Sequence, residues 1–158
     1  MSGSNTICTA TVLLETGMVA ITEPVTELSL EAPAGLIRLR CDCVNGKVTG
    51  VTFINQPAFA YHLGSTIEVA GLGTLTVDIA WGGMAYVIAD AGKIGFVLSP
   101  DEGRDLCVQG QLIKQAAAEQ LEAVHPAYPE YPGITQAEFA DTARYAGSPA
   151  SRRRTPMI

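Results

Sequence analysis

The first patterned stretch of the chain is NTICTATVLLET at residues 5–16, where threonine, alanine and apolar side chains fill nearly every position. It contains no proline or internal glycine, and Gly17 follows as a plausible C′ residue. That pattern predicts a helix over Asn5–Thr16, apolar around most of its circumference and therefore enclosed on all sides. Ser2, Ser4, Asn5 and Thr6 are potential N-caps at its start. The period then changes from helical to twofold. Val25–Leu30 alternates, and APAG punctuates it. Residues 36–44 place Ile37, Leu39, Cys41 and Cys43 on one strand face, with Arg38, Arg40 and Asp42 on the other. Asn45-Gly46 predicts a type I′ hairpin, whose two central residues both need positive φ, and the returning strand carries Val51 and Phe53.

Further strands are predicted at 65–70, 74–80, 84–90 and 94–98, with AGLG at 70–73 a candidate domain joint. Ser99-Pro100-Asp101-Glu102 reads as a capping box with proline at N1. The helix it opens should run to about Val124, with Leu106, Ile113, Ala117 and Leu121 on one face, until His125-Pro126 stops it. PAYPEYPG is a loop, and a short strand is expected near 134–140. No internal repeat recurs at a fixed period, and GSPASRRRTPMI has no usable pattern.

Composition narrows the class. With 158 residues, 47% hydrophobic and 16% charged, the chain has material for one full domain or two small ones with a real core. Glu15 interrupts the best candidate for the roughly 18-residue apolar run that a membrane span needs. No basic segment precedes an apolar one, so a soluble, cytoplasmic protein without a membrane partner is expected. Four of the ten basic residues (Arg144, Arg152, Arg153 and Arg154) lie in the last fifteen positions, which hold no acid. The rest of the chain carries a net charge of −10, which argues against nucleic-acid binding by the folded part. The arginine run could touch an anion, but a solvated tail is the simpler expectation.

Several residues are candidates for chemistry. A helix N-terminus offers unpaired backbone N–H groups and the positive end of the dipole, which suit a carboxylate or phosphate. Gly3 would allow close approach there, and Ser2 and Ser4 add hydroxyls; an ordinary capped helix is the plainer alternative. Cys8, Cys41, Cys43 and Cys107 include one C-x-C pair, but no second pair or nearby histidine completes a metal site, so buried reduced thiols are expected. His62 and His125 are far apart and lack metal-ligand spacing, and exposed loop or helix-end roles are expected for both. Asp78 and Trp81 in DIAWGG could line a cleft or pack at a strand end, with packing favoured.

The phrases MSGSNTICTATVLLETGMVAITEPVTELSLEAPAGLI, GTLTVDIAWGGMAYVIAD and SPDEGRDL, taken in order, resemble the proline racemase family. That family includes 4-hydroxyproline 2-epimerases and trans-3-hydroxy-L-proline dehydratases. The likeness runs collinearly from Met1 to about Phe139. After that, TARYAGSPASRRRTPMI reads like out-of-frame translation. In the family the helix mouth usually reads Met-Cys-Gly-His, and that cysteine is one of two catalytic bases. Ser2 stands at the cysteine position, Gly3 at the glycine and Ser4 at the histidine, and a serine-bearing subgroup is the more similar.

The resemblance implies an α+β, diaminopimelate-epimerase-like fold, with two domains of curved mixed sheet, each around a central helix, and the active site between them. Residues 1–70 would be the remainder of the first domain, 71–142 the start of the second, and 143–158 a disordered tail. It implies Ser2 as the catalytic-position residue, and Gly3, Ser4 and Asn5 as the substrate-binding mouth. Gln136 lies where relatives carry a polar residue near substrate. The implied partner is a small imino acid, hydroxyproline or proline, handled without cofactor or metal, with full-length relatives as homodimers. The second family motif, Asp-Arg-Ser-Pro-Cys-Gly-Thr-Gly-Thr, is expected beyond residue 158, and a segment before the first motif is expected upstream. On that expectation the chain starts at an internal methionine, its charged amino terminus one residue from the substrate carboxylate. Two readings stay open: a hydroxyproline epimerase or dehydratase, or an inactive fragment that keeps only the carboxylate-binding mouth.

Overall fold

A computed structural model of the chain describes residues 2–131 and 133–141. The architecture is α+β, in two compact units divided between Pro57 and Ala58. The expected tail at 143–158, with its arginines, and Met1 lie outside the described residues.

The first unit sets one helix on one sheet. Helix α1 (Gly3–Glu15) is followed by β1 (Val25–Ala32), β2 (Gly35–Val44) and β3 (Lys47–Ile54), antiparallel in the order β1-β2-β3. The helix starts two residues earlier than expected and ends at Glu15, with Thr16 as its C-cap and Gly17 in the left-handed conformation at φ +75°. Asn45 and Gly46 take φ of 52° and 73°, so the predicted type I′ turn is present. Alternation along β2 is as expected: Ile37, Leu39, Cys41 and Cys43 are buried, while Arg38 and Arg40 are exposed.

One expectation for α1 fails. Thr6, Ala10 and Leu14 are its buried residues, spaced four apart along a single stripe. Ala10 and Leu14 join Leu39, Cys41 and Cys43 in the core, whereas Ile7 and Val12 are 40% and 55% exposed. A three-stranded sheet on one side covers one face of a helix, not its whole circumference.

The second unit is a mixed sheet carrying a helix. Strands β4 (Phe59–Val69), β5 (Gly73–Trp81) and β6 (Ala85–Asp90) run antiparallel, and β7 (Ile134–Ala140) lies parallel to β6. A parallel neighbour needs a long crossover, supplied here by α2 (Gly103–Gln120). The AGLG glycines turn the β4–β5 hairpin, with Gly71 and Gly73 at positive φ, so the division between units falls earlier in the chain than the expected joint. Residues 94–98 are not a strand. A 3-10 turn spans Gly92–Ile94, and Gly95 at φ +83° breaks the extended run.

The start of α2 also differs from the expected capping box. Ser99 makes no side-chain cap, and Pro100–Glu102 form a 3-10 turn. The Glu102 carboxylate accepts the Val97 N–H at 2.6 Å, two residues further back than the box requires. The helix ends at Gln120 because Leu121 is already extended (φ −125°, ψ 131°), four residues before His125. Its buried stripe, Leu106, Gly110, Ile113, Ala116 and Ala117, packs into a core with Ile67, Val77, Ile79, Val87 and Phe139. Among the described residues no helix is long and apolar enough to cross a membrane.

Candidate active site

Ser2, the N-cap residue, and Gly3, Ser4 and Asn5 form the first turn of α1. Ser2 is half-buried and extended (φ −111°, ψ 119°), and its side chain does not cap the helix. Its carbonyl accepts the Thr6 N–H at 3.0 Å and the Thr6 hydroxyl at 2.9 Å. The N–H groups of Gly3, Ser4 and Asn5 therefore precede the first intrahelical bond and face outward along the axis. No acidic side chain stands in the first turn to offset the positive end of the helix dipole. The hydroxyls of Ser2 and Ser4 lie 3.3 Å apart, and either can donate to the other.

Gly3 has a reason that the sequence did not show. A Cβ there would stand 3.1 Å from Cζ of Phe53 on β3, so the missing side chain lets the helix mouth settle on that ring. The opposite end of α1 is tied to the 45–46 hairpin. Glu15 accepts the Lys47 ammonium at 2.7 Å and the Val48 N–H at 3.0 Å, which hold its carboxyl below the usual range. Glu23 accepts the Gly46 N–H at 2.7 Å.

The remaining candidates divide between packing and open surface. Asp78 accepts the Gly64 N–H at 2.8 Å, holding the irregular part of β4. Trp81 is 2% exposed, with Tyr131 edge-on at 4.8 Å and His125 at 4.5 Å. Both fill the packing role. Gln136 on β7 is half-buried and shares a concavity of about 270 Å3 with Cys107, Gln111, Lys114 and Thr135. His62 sits on β4 rather than in a loop, its Nε2 2.7 Å from the Glu122 carbonyl. His125 is buried in an aromatic cluster instead of exposed, because the loop after α2 folds back on β4 and β5. Of the cysteines, Cys41 and Cys43 are buried, and burial pushes the Cys41 thiol up. Cys8 and Cys107 are exposed, each on a helix face turned away from the core stripe.

A model of the proline racemase family matches residues 1–156. The chain belongs to the proline racemase family. The match continues past Phe139, where the likeness was expected to stop, and takes in the arginine-rich segment. Among solved structures, the chain is similar to a hydroxyproline epimerase from Agrobacterium vitis with bound trans-4-OH-L-proline. Identity is 33%, the TM-score is 0.88, and the match covers 99% of this chain and 44% of that one. It is also similar to a probable proline racemase from Agrobacterium radiobacter K84 with bound carbonate, at 33% identity and a TM-score of 0.84, over 89% of this chain and 42% of that one. The fold is thus that of the proline racemases, diaminopimelate-epimerase-like, and the chain spans less than half the length of these two family structures.

Proposed function

We propose that the α1 mouth is a half-site of a cofactor-independent enzyme acting at the α-carbon of a hydroxyproline-type imino acid. The observation that carries this reading is the family match over residues 1–156, joined to a relative of 33% identity that binds trans-4-OH-L-proline. The N–H groups of Gly3, Ser4 and Asn5 would hold the substrate carboxylate, where negative charge grows as the α-proton leaves. Ser2 stands where the proton carrier belongs.

Epimerisation needs a base on one ring face and an acid on the other, whereas dehydration needs one base and departure of the C3 hydroxyl. A serine hydroxyl is a much weaker acid than a thiol. Serine at this position therefore handicaps symmetric proton exchange more than elimination, and a dehydratase belongs beside an epimerase in this proposal.

The match spans 42–44% of the solved relatives' chains, and the alternative to turnover is binding alone. On that reading the chain keeps the carboxylate-binding mouth without turnover. Incubating it with trans-4-hydroxy-L-proline in D2O and following the α-proton by NMR separates the two. For the enzyme reading, deuterium enters the α-position and Ser2→Ala lowers the rate to the solvent background. Saturation transfer to the ligand without exchange supports the second reading, and neither signal overturns both.

A further inference from the structure

Both histidines of the chain hold the same segment, residues 121–131 after α2. His125 is 8% exposed, and its Nδ1 accepts the N–H groups of Ala127 and Tyr128, each at 3.1 Å. An imidazole nitrogen that accepts carries no proton, so the neutral ring holds its hydrogen on Nε2. The ring packs against Trp81 of β5 at 4.5 Å, Phe59 of β4 at 5.4 Å and Tyr128 of its own segment at 4.9 Å. Tyr61 lies against Phe59 and Tyr131 against Trp81 in the next layer. Burial pushes the Tyr61 phenol up, so it stays neutral through the acid range. Among the described residues no carboxylate forms an ion pair with His125 to favour a charged ring.

The two histidines answer a proton in opposite ways. His62 donates from Nε2 to the Glu122 carbonyl, and a charged ring still donates. His125 cannot keep its bonds: a proton on Nδ1 turns the shared acceptor into a donor aimed at two other donors. The charged ring would also sit in an apolar, aromatic setting without a counter-charge.

We propose that His125 is an acid-released clasp, which holds residues 123–131 over Trp81 while neutral and frees them when Nδ1 takes a proton. His62 keeps Glu122 anchored in both states, so the release stays local. Histidine is the side chain suited to such a change between about pH 8 and 5.

Trp81 is the sole tryptophan, so its emission reports on the clasp directly. Emission and far-UV circular dichroism of the whole chain are followed from about pH 8 to 5. The expected result is a reversible red shift of the emission with the dichroism unchanged. His125→Asn, whose side-chain oxygen can accept the same two N–H groups as an Asx turn, should show a flat profile. His62→Gln should keep the transition. Should His125→Asn fail to fold, hydrogen exchange in the unaltered chain serves instead. Protection at Ala127 and Tyr128 should fall about tenfold across the range while Ile79 and Val87 keep theirs. A flat wild-type profile, a transition that persists in His125→Asn, a red shift that comes only with loss of dichroism, or unchanged protection at Ala127 and Tyr128 would each overturn the proposal.

Discussion

The two helices make opposite arrangements with their sheets. Helix α2 is the more polar of the two; the second sheet buries its stripe of Leu106, Gly110, Ile113 and Ala117 and leaves Val108 and Leu112 exposed. Helix α1 is richer in apolar residues, yet its sheet buries only Thr6, Ala10 and Leu14 and leaves Ile7 and Val12 exposed. The more apolar one has more to bury than β1–β3 cover, as the 40% and 55% exposure of Ile7 and Val12 shows.

That contrast can be broken most forcefully in the cores. Ile113 is 1% exposed within a large cluster, and Leu14 is 2% exposed within a small one. Truncation of either to alanine should cost about 2–5 kcal/mol, with Ile113→Ala at the upper end and Leu14→Ala at the lower. Urea midpoints at constant slope measure both, and equal costs would erase the difference between the helices.

A smaller effect is expected at the far end of α1. The Lys47 ammonium and the Val48 N–H hold the Glu15 carboxyl below its usual range. Its contribution is therefore complete above the ordinary carboxylate range and disappears as pH falls through the lowered folded value. The stability gap between the native chain and Glu15→Gln should be open near about pH 7 and narrow as pH falls below the ordinary carboxylate range. A gap that persists in acid would mean that charge is not what fixes this end of the helix.

The smallest effect belongs to the uncovered face. Val12→Ser should change stability by no more than about 0.5 kcal/mol, as for other exposed positions. A cost above about 1.5 kcal/mol in the same urea measurement would show that something buries this face, and α1 would then resemble α2.

Legibility in the sequence followed the range of the determining contact. The Asn45-Gly46 turn depends on two adjacent residues, and the Cys41/Cys43 face on strict alternation, so both were readable. The existence of α1 was readable for the same local reason, though its start lies two residues before the expected one. The capping box misled because Glu102 found a better donor in Val97 than in Ser99, a choice made by the path of the preceding turn. Exposure of Cys8 and Cys107 depends on how much of each helix a sheet covers, which no local pattern records. The His125 cluster joins residues from Phe59 to Tyr131 through aromatic contacts with no periodic signature. Gly3 belongs to the same class, since its partner Phe53 lies fifty positions away.

The Glu15 and Glu23 bonds to the 46–48 backbone have a further consequence for alignment. Helix α1 is a rod about 20 Å long, anchored at one end by a hairpin tip, with the proposed ligand mouth at the other. A pivot of about 5° at Glu15 would carry Ser2 through about 1.7 Å. A displacement of about 1 Å can cost a reaction about a hundredfold in rate. On the proposed function, loosening the hairpin tip would displace Ser2 without touching it, and would look in an assay like loss of Ser2 itself.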